Sequence, residues 1–171
     1  MPKVVDHDQY REELARRAVP VFRREGFNGM SMRRMAEALG VSKGVLYHYF
    51  ASKQALFEAC SAYATEVPVF ALGAGASDDE KVAALVAIAA AVEQDFAGEL
   101  TLLLDYIRNR SVAALRQDKE LGRAMQHYVR AVSGVVGDAD ARAVLAQMLG
   151  LLLIRLFDGQ QTPLTDIRTV L

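Results

Sequence analysis

The sequence predicts an all-α protein, with a three-helix helix-turn-helix domain in residues 1–52 and a helical bundle in residues 53–171. Apolar residues make up 52% of the chain and only four prolines occur, a composition that fits helical proteins. No stretch of alternating polar and apolar residues is long enough to require a strand. The single cysteine, Cys60, excludes an internal disulfide and fits a reducing cytoplasm.

The first helix is expected over residues 8–25, where Leu14 and Phe22 fall on the same apolar face. Gly26 is placed to close this helix, because glycine readily adopts the left-handed conformation found at helix ends. Pro20 lies inside the helix, where it removes one backbone hydrogen bond and should bend the axis.

Two short helices joined by a tight turn are predicted for residues 32–39 and 43–50. Leu39 belongs to the apolar stripe of the first helix, and Gly40 supplies the backbone freedom needed to stop it and turn. Ser42 is a good N-cap for the second helix. This pattern is a helix-turn-helix, whose second helix can enter a DNA major groove.

The second helix has two faces of opposite character. Its apolar stripe is formed by Val45, Leu46, Tyr49 and Phe50, and its outward residues are Lys43, Tyr47 and His48. Lysine donates to phosphate oxygens, and a phenol or imidazole can donate to phosphate or pack on thymine methyl groups. We expect Tyr49 to be a core residue and Tyr47 to be exposed, because the neighbours of Tyr47 on its face are polar.

The charge of the chain is divided unevenly along its length. The net charge of −1 does not by itself favour nucleic acid as a partner. Residues 1–60, however, hold ten Lys or Arg against seven Asp or Glu, whereas residues 61–171 hold ten against fourteen. The first part is therefore the basic one, as expected if only this part contacts phosphate groups.

Further helices are expected in the rest of the chain. They run from the N-cap Ser52 to about Glu66, from the capping box Ser77–Glu80 to about Phe96, over 98–109, 112–136 and 139–158, and over a short segment after Thr162 and Pro163. The longest apolar runs are too short to span a membrane, so we expect no membrane partner.

Residues 61–158 contain no motif that indicates catalysis. A Gly-rich phosphate loop, paired cysteines, H-E-x-x-H and G-x-S-x-G are all absent from this sequence segment. His7 and His127 lack the spacing of a metal site. We therefore expect a protein that is not an enzyme, with no catalytic residue, no cofactor and no metal.

Several motifs of the first part resemble the TetR family of bacterial transcriptional regulators. The matching segments are F-R-R-E-G-F at 22–27, Ser31, Met35-Ala36, G-V-S-K-G-V-L-Y-H-Y-F at 40–50, Ser52-Lys53 and Leu56-Phe57. The resemblance covers residues 8–60 and is specific, because the turn, the N-cap, the buried stripe and the basic flanks agree within one string. It implies that residues 53–171 bind an effector and form a dimer.

The resemblance also implies which residues contact DNA. Tyr47 and His48 fall where the family places groove and backbone contacts, and Lys53 matches its phosphate-binding lysine. Gly44 matches a position where the lack of a side chain lets the backbone approach DNA. Together with the outward Lys43, with Val45 of the same helix's apolar stripe and with the matching start of the preceding helix, the predicted contacts are Ser31, Arg33, Lys43, Gly44, Val45, Tyr47, His48 and Lys53.

An effector would be contacted by the larger side chains of the second part. The candidates are Tyr63, Phe70, Phe96, Tyr106, Met125, His127, Tyr128 and Met148. Ordinary core packing explains each of them equally well, and His127 fits either a pocket or the surface. Because the walls would be mostly Ala, Leu and Val, we expect a small hydrophobic effector.

The helix expected over residues 139–158 is the best candidate for a dimer contact. It is apolar on nearly all sides, and such a helix must be covered on several faces. In a chain of this length a second subunit is the simplest cover. We therefore expect a homodimer joined through residues 112–158, with Leu152 at the subunit contact.

These expectations combine into one function. The chain would be a ligand-responsive dimeric repressor that binds a pseudo-palindromic double-stranded DNA operator, in the bacterial cytoplasm and associated with the nucleoid. The alternatives are a small-molecule-binding helical protein or enzyme whose helix-turn-helix is only structural, and an activator or architectural DNA binder without an effector. Loss of operator binding when an effector is added distinguishes the last alternative.

Overall fold

The structure, a computed structural model, describes residues 6–61, 67–73 and 75–170, and these residues contain helices and connecting turns but no strand. The α-helices are α1 His7–Glu25, α2 Met32–Leu39, α3 Lys43–Tyr49, α4 Lys53–Ser61, α5 Asp78–Glu93, α6 Phe96–Ile107, α7 Val112–Arg116, α8 Lys119–Val136 and α9 Ala141–Phe157, followed by a 3-10 helix at Leu164–Val170. The predicted all-α class is confirmed. Across the described ranges, no helix has the length and apolar character needed to cross a membrane.

The chain divides into two compact units. Unit 1 comprises residues 1–64 and 98–120, and unit 2 comprises residues 65–97 and 121–171. Packing thus adds α4 and most of α6 to the unit that contains the helix-turn-helix. The predicted boundary between residues 52 and 53 separates a DNA-binding part from an effector-binding and dimerising part. This functional division stays a prediction.

The core of unit 1 fixes the position of the helix-turn-helix. Within it, α1 packs on α2 and α4, and α2 packs on α3. The largest side chains that it buries completely are Leu14, Phe22, Met35, Leu46, Phe50 and Leu56. Burial of each such side chain contributes about 1.5–3 kcal/mol relative to exposure, so the short helices α2 and α3 depend on this core. Pro20 lies on the exposed side of α1, which continues through it to Glu25.

Unit 2 has its own core, formed by α5, α8 and α9. Leu85, Ile88, Val132 and Met148 are buried there, and the 3-10 helix packs against α5 and α9. An ion pair reinforces this packing, because the guanidinium Nε of Arg155 on α9 lies 2.6 Å from a carboxylate oxygen of Glu93 on α5. The hydrogen bond with Glu93 raises the pKa of Arg155.

The helix predicted over residues 112–136 is in fact two helices, α7 and α8. The turn between them contains Gln117 and Asp118. The Asp118 carboxylate accepts hydrogen bonds from the Tyr106 hydroxyl at 2.9 Å and from the Arg110 guanidinium at 3.1 Å. These bonds tie the turn to α6 and its end, a tertiary contact that helical periodicity does not encode.

The side of α9 that carries Leu152 faces the core of its own unit and not a subunit contact. Leu152 is only 1% exposed in the single chain and belongs to the core of unit 2, so its predicted place at the dimer contact is wrong. The apolar side chains that α9 leaves exposed are Leu153, Ile154, Leu156 and Phe157. A helix that is apolar on all sides does not reveal from sequence which stripe faces its own core.

Candidate nucleic-acid interface

Local sequence fixes both ends of the turn that precedes α3. Gly40 adopts the left-handed conformation at φ 66° and ψ 30°, where its N–H bonds to α2 carbonyls. The Oγ of Ser42 then accepts the N–H of Val45 at 3.1 Å and so caps α3. Leu46 and Phe50 are buried at 0% and 1% exposure. Together these features hold α3 in one orientation.

The residues opposite Leu46 form what we call the outer face of α3. It consists of Lys43, Gly44, Val45, Tyr47 and His48, all exposed to solvent. Lys43 Nζ lies 5.6 Å from the ring centroid of Tyr47, within cation–π range. The outer face thus presents an ammonium group, a phenol and an imidazole around a residue without a side chain.

Two predictions for the apolar stripe of α3 need correction. Val45 is 37% exposed, so it belongs to the outer face and not to the core. Tyr49, predicted as a core residue, is only half-buried, and its ring packs edge-on against Tyr10 of α1 at 5.3 Å. The hydroxyl group of Tyr49 keeps it at the edge of the core, where a polar partner is within reach.

The candidates at the start of α2 are both exposed. The Ser31 Oγ accepts the N–H of Arg34 at 3.2 Å and caps α2. The Arg33 Nε lies 3.7 Å from the carboxylate of Glu37, one turn later. Exposed pairs of this kind are weak, so Arg33 can exchange Glu37 for another acceptor. DNA contact by Ser31 and Arg33 stays a prediction.

Lys53 is half-buried at the start of α4. Its Nζ donates to the backbone oxygen of Phe27 at 2.7 Å and lies 4.3 Å from the centroid of the Phe27 ring. Burial lowers the pKa of Lys53, and the charge of Asp105 opposes this effect. An ammonium group has three donors, so a structural bond to Phe27 leaves donors for a phosphate. The phosphate contact stays a prediction.

Two arginines, Arg17 and Arg34, hold α2 in position through hydrogen bonds, although no sequence motif indicates this role. Arg34 donates to the backbone oxygen of Gly29 at 2.8 Å and to the carboxylate of Glu25 at 3.0 Å. Arg17 of α1 donates to the backbone oxygen of Leu39, at the other end of α2. Hydrogen bonding from Arg24, with further contributions from Arg34, lowers the pKa of Glu25. The start of α2 is therefore bonded to the end of α1 and to the turn between α1 and α2, and the end of α2 is bonded to α1.

A groove of about 1050 Å³ separates the start of α1 from α3. We call it the α1–α3 groove; it is lined by Asp6, His7, Gln9, Tyr10, Glu12, Glu13 and Arg16 of the α1 region and by Gly44, Val45, His48 and Tyr49 of α3. His7 has no recognisable partner in the sequence. In the structure its Nδ1 lies 2.9 Å from the Tyr49 hydroxyl.

Helix α6 contacts the end of α1 within unit 1. An ion pair of 2.7 Å joins Arg23 to Glu99, and both side chains are less than one-fifth exposed. Gly26 adopts φ +74°, and a Cβ atom there would lie 2.9 Å from Oδ2 of Asp105. Glycine is therefore required at this position by both its backbone conformation and the nearby carboxylate.

The effector candidates do not form one cluster. Phe70, Phe96 and Tyr128 are partly buried against the core of unit 2, and Met148 is fully buried within that core. Tyr106 belongs to unit 1, where its ring stacks on Phe57 at 4.8 Å and its hydroxyl accepts a hydrogen bond from Gln54 at 3.1 Å. Met125 and His127 are exposed on α8, and Tyr63 lies outside the described residues. Effector contact by these residues stays a prediction.

The single cysteine of the chain, Cys60, is buried within unit 1. Burial raises the pKa of Cys60 to about 12, and its thiol donates to the backbone oxygen of Ala15 at 3.3 Å. A thiol with this pKa is a poor nucleophile and metal ligand at neutral pH. In the described part of the chain, no group of three or more His, Cys, Asp or Glu is arranged to hold a metal ion.

The geometry of α1, α2 and α3 defines a helix-turn-helix domain with an anchored, outward-facing third helix. Residues 14–60 match the sequence model of bacterial regulatory proteins of the tetR family. The HTH-type transcriptional regulator PksA of Bacillus subtilis (strain 168) is 38% identical over 56 residues, which are 33% of this chain and 27% of that protein. The resemblance to the tetR family that the motifs of the first part indicate is confirmed for residues 14–60. The match spans about a quarter of the length of PksA.

Proposed function

We propose that this chain is a ligand-responsive dimeric transcriptional repressor, located in the bacterial cytoplasm, that binds a pseudo-palindromic DNA operator through the outer face of α3. The observation that carries the proposal is the contrast between the two sides of α3. Leu46 and Phe50 are buried, whereas Lys43, Tyr47 and His48 point to solvent. A short helix held in this way can enter a major groove with donors for phosphates and base edges already in place.

The proposed dimer contact is the exposed side of α9. Leu153, Ile154 and Phe157 are exposed at 38%, 56% and 79%, and lie on the side opposite Leu152. Gly150 lies on the same side, where a Cβ atom would meet nothing within 4 Å. Large apolar groups beside a glycine fit a second copy of the same helix. Two-fold symmetry would then present two α3 helices to an inverted repeat.

The proposed effector site is in unit 2. Phe70, Phe96 and Tyr128 offer partly exposed rings at the margin of an aliphatic core, which suits a hydrophobic ligand with few polar groups. The required coupling is modest, since a tenfold loss of operator affinity corresponds to about 1.4 kcal/mol. By linkage, operator DNA would weaken effector binding by the same factor.

Selection of bound duplexes from a random pool tests the DNA function, and screening of hydrophobic compounds against the selected duplex tests the effector. We expect an inverted repeat, and compounds that both raise the melting temperature and release labelled DNA in the same concentration range. Recovery of no preferred sequence would contradict the DNA function. A preferred sequence that no compound releases would instead indicate a DNA binder without an effector.

A further inference from the structure

Two of the three histidines of the chain lie side by side next to the outer face of α3. The ring centroids of His7 and His48 are 6.0 Å apart, and both side chains are exposed. Tyr49 contacts both of them, through a hydroxyl 2.9 Å from His7 Nδ1 and through edge-on packing against His48 at 4.9 Å. The fold therefore assembles an imidazole pair from α1 and α3 at the surface proposed to meet DNA.

The α1–α3 groove around this pair carries charges of both signs. Its other charged or titratable side chains are Asp6, Tyr10, Glu12, Glu13 and Arg16 from the α1 region and Tyr49 from α3. Glu13 is paired with Arg17 at 3.2 Å, and Arg11 of α1 lies 5.0 Å from the centroid of the Phe50 ring, which follows α3. The contact with Tyr49 suits either charge state of His7, because a hydroxyl can accept a hydrogen bond from imidazolium as well as donate one to imidazole.

Positive charge on both rings at this separation is unfavourable, because like charges repel each other. A nearby DNA phosphate adds negative charge and reduces this penalty. The DNA complex should therefore hold more protons on the pair than the free protein does.

We propose that His7 and His48 form a proton-linked pair through which operator affinity rises as pH falls. The proposal rests on the DNA-binding function proposed above and adds a mode of regulation to it. Histidine is the side chain that ordinarily titrates between about pH 5 and pH 8. When the complex binds more protons than the free protein, affinity increases with falling pH, and the slope gives the number of protons taken up.

Anisotropy titrations of the selected duplex, at constant ionic strength and from about pH 8 to about pH 6, test the proposal across the range of imidazole titration. Wild-type protein should bind roughly tenfold more tightly at the lower pH, as expected for net uptake of about half a proton or more. His7→Gln and His48→Gln should each flatten the slope, and the double variant should remove it. His127→Gln removes the remaining imidazole, on the exposed side of α8, and should keep the wild-type slope.

Melting curves at each pH separate loss of the fold from loss of proton linkage. Specific wild-type binding that does not change with pH would overturn this proposal and leave the DNA function standing. The proton-linked pair would also be excluded if the double variant kept the wild-type slope, or if one histidine alone carried all of it. If wild-type protein bound no duplex specifically at any pH, both this proposal and the proposed function would fall.

Discussion

The Asp105 carboxylate accepts a hydrogen bond from the backbone N–H of Asn28 at 2.7 Å, and the Asn28 amide donates to the backbone oxygen of Asp105 at 2.5 Å. The two residues are 77 positions apart in the chain. Their reciprocal bonds join α6 to the turn between α1 and α2, within unit 1. Because α2 packs on α3, this contact helps to set the position of the outer face.

Asp105→Asn should lower the free energy of unfolding by about 1 kcal/mol at neutral pH, because the charged acceptor is replaced by a neutral one. The hydrogen bond from Asn28 lowers the pKa of Asp105 in the folded protein. Its stabilisation is therefore complete above the unfolded-state pKa of about 3.9 and is lost as pH falls through the lower folded-state value. Urea unfolding at several pH values should show the two proteins converging in acid.

Asp140→Asn is the control for this comparison, because the Asp140 side chain makes no capping hydrogen bond at the start of α9. It should change the stability little at any pH. An Asp105→Asn deficit that stayed constant from neutral to acid pH would show that the charge of Asp105 is not what stabilises the contact.

Gly134→Ala should destabilise unit 2 by about 1–3 kcal/mol, the usual range for overpacking. A Cβ atom at Gly134 would collide with the backbone oxygen of Phe70, and the Gly134 carbonyl accepts the N–H of Leu72 at 2.9 Å. Gly122→Ala on the same helix is the control, since a Cβ atom there meets nothing within 4 Å. It should stabilise α8 by up to about 1 kcal/mol. If the melting temperatures of both variants shifted in the same direction, the close approach of Gly134 to the Phe70 backbone would be contradicted.

The sequence predicts those features of the fold whose causes are local. Gly40 and Ser42 have the roles expected for a C-terminal and an N-terminal cap, and both halves of the capping box between Ser77 and Glu80 are present. Each depends on a backbone conformation or a hydrogen bond within a few residues. The helix-turn-helix could therefore be predicted closely.

Contacts between distant segments could not be predicted in this way. His7 looks isolated in the sequence, yet it meets His48 across the α1–α3 groove. Leu152 and Ile154 are equivalent by composition, and only the packing of α5 and α8 decides that the first is buried. Lys53 matches a family motif, but its bond to Phe27 depends on how α4 packs.

Lys53→Ala should weaken binding to all duplexes and reduce the salt dependence of affinity by about one unit for each lost phosphate contact. It should also lower the melting temperature, because the hydrogen bond to Phe27 is lost. Lys119→Ala, which removes an exposed lysine of α8, controls for net charge and should change neither quantity strongly. If Lys53→Ala lowered only the melting temperature and left the salt slope intact, Lys53 would be a structural residue alone.

Ile154→Glu should convert the proposed dimer into folded monomers, because the new carboxylate would be buried without a partner at the α9 contact. Ala83→Glu introduces the same side chain at an exposed position of α5 and should remain dimeric. Leu152→Glu should instead unfold unit 2, since that residue is in its core. Light scattering at micromolar concentration checks all three. A monomeric wild type, or a dimeric Ile154→Glu, would exclude this interface.

Entry of the outer face of α3 into a DNA groove is tested most directly by Gly44→Leu. The nearest atom to a Cβ at Gly44 is Ser42 Oγ at 3.8 Å, and leucine favours helix over glycine, so the fold should be retained or slightly stabilised. Gly122→Leu is the matched control on α8, where a Cβ atom also meets open space.

Affinity for the selected duplex and the melting temperature are measured together for both variants. We predict that Gly44→Leu keeps at least the wild-type melting temperature and loses operator affinity by about a hundredfold or more, as expected for about 3 kcal/mol of lost contact. Gly122→Leu should retain the wild-type operator affinity and at least the wild-type melting temperature. A Gly44→Leu protein that binds the duplex as tightly as the wild type would show that this face does not contact DNA.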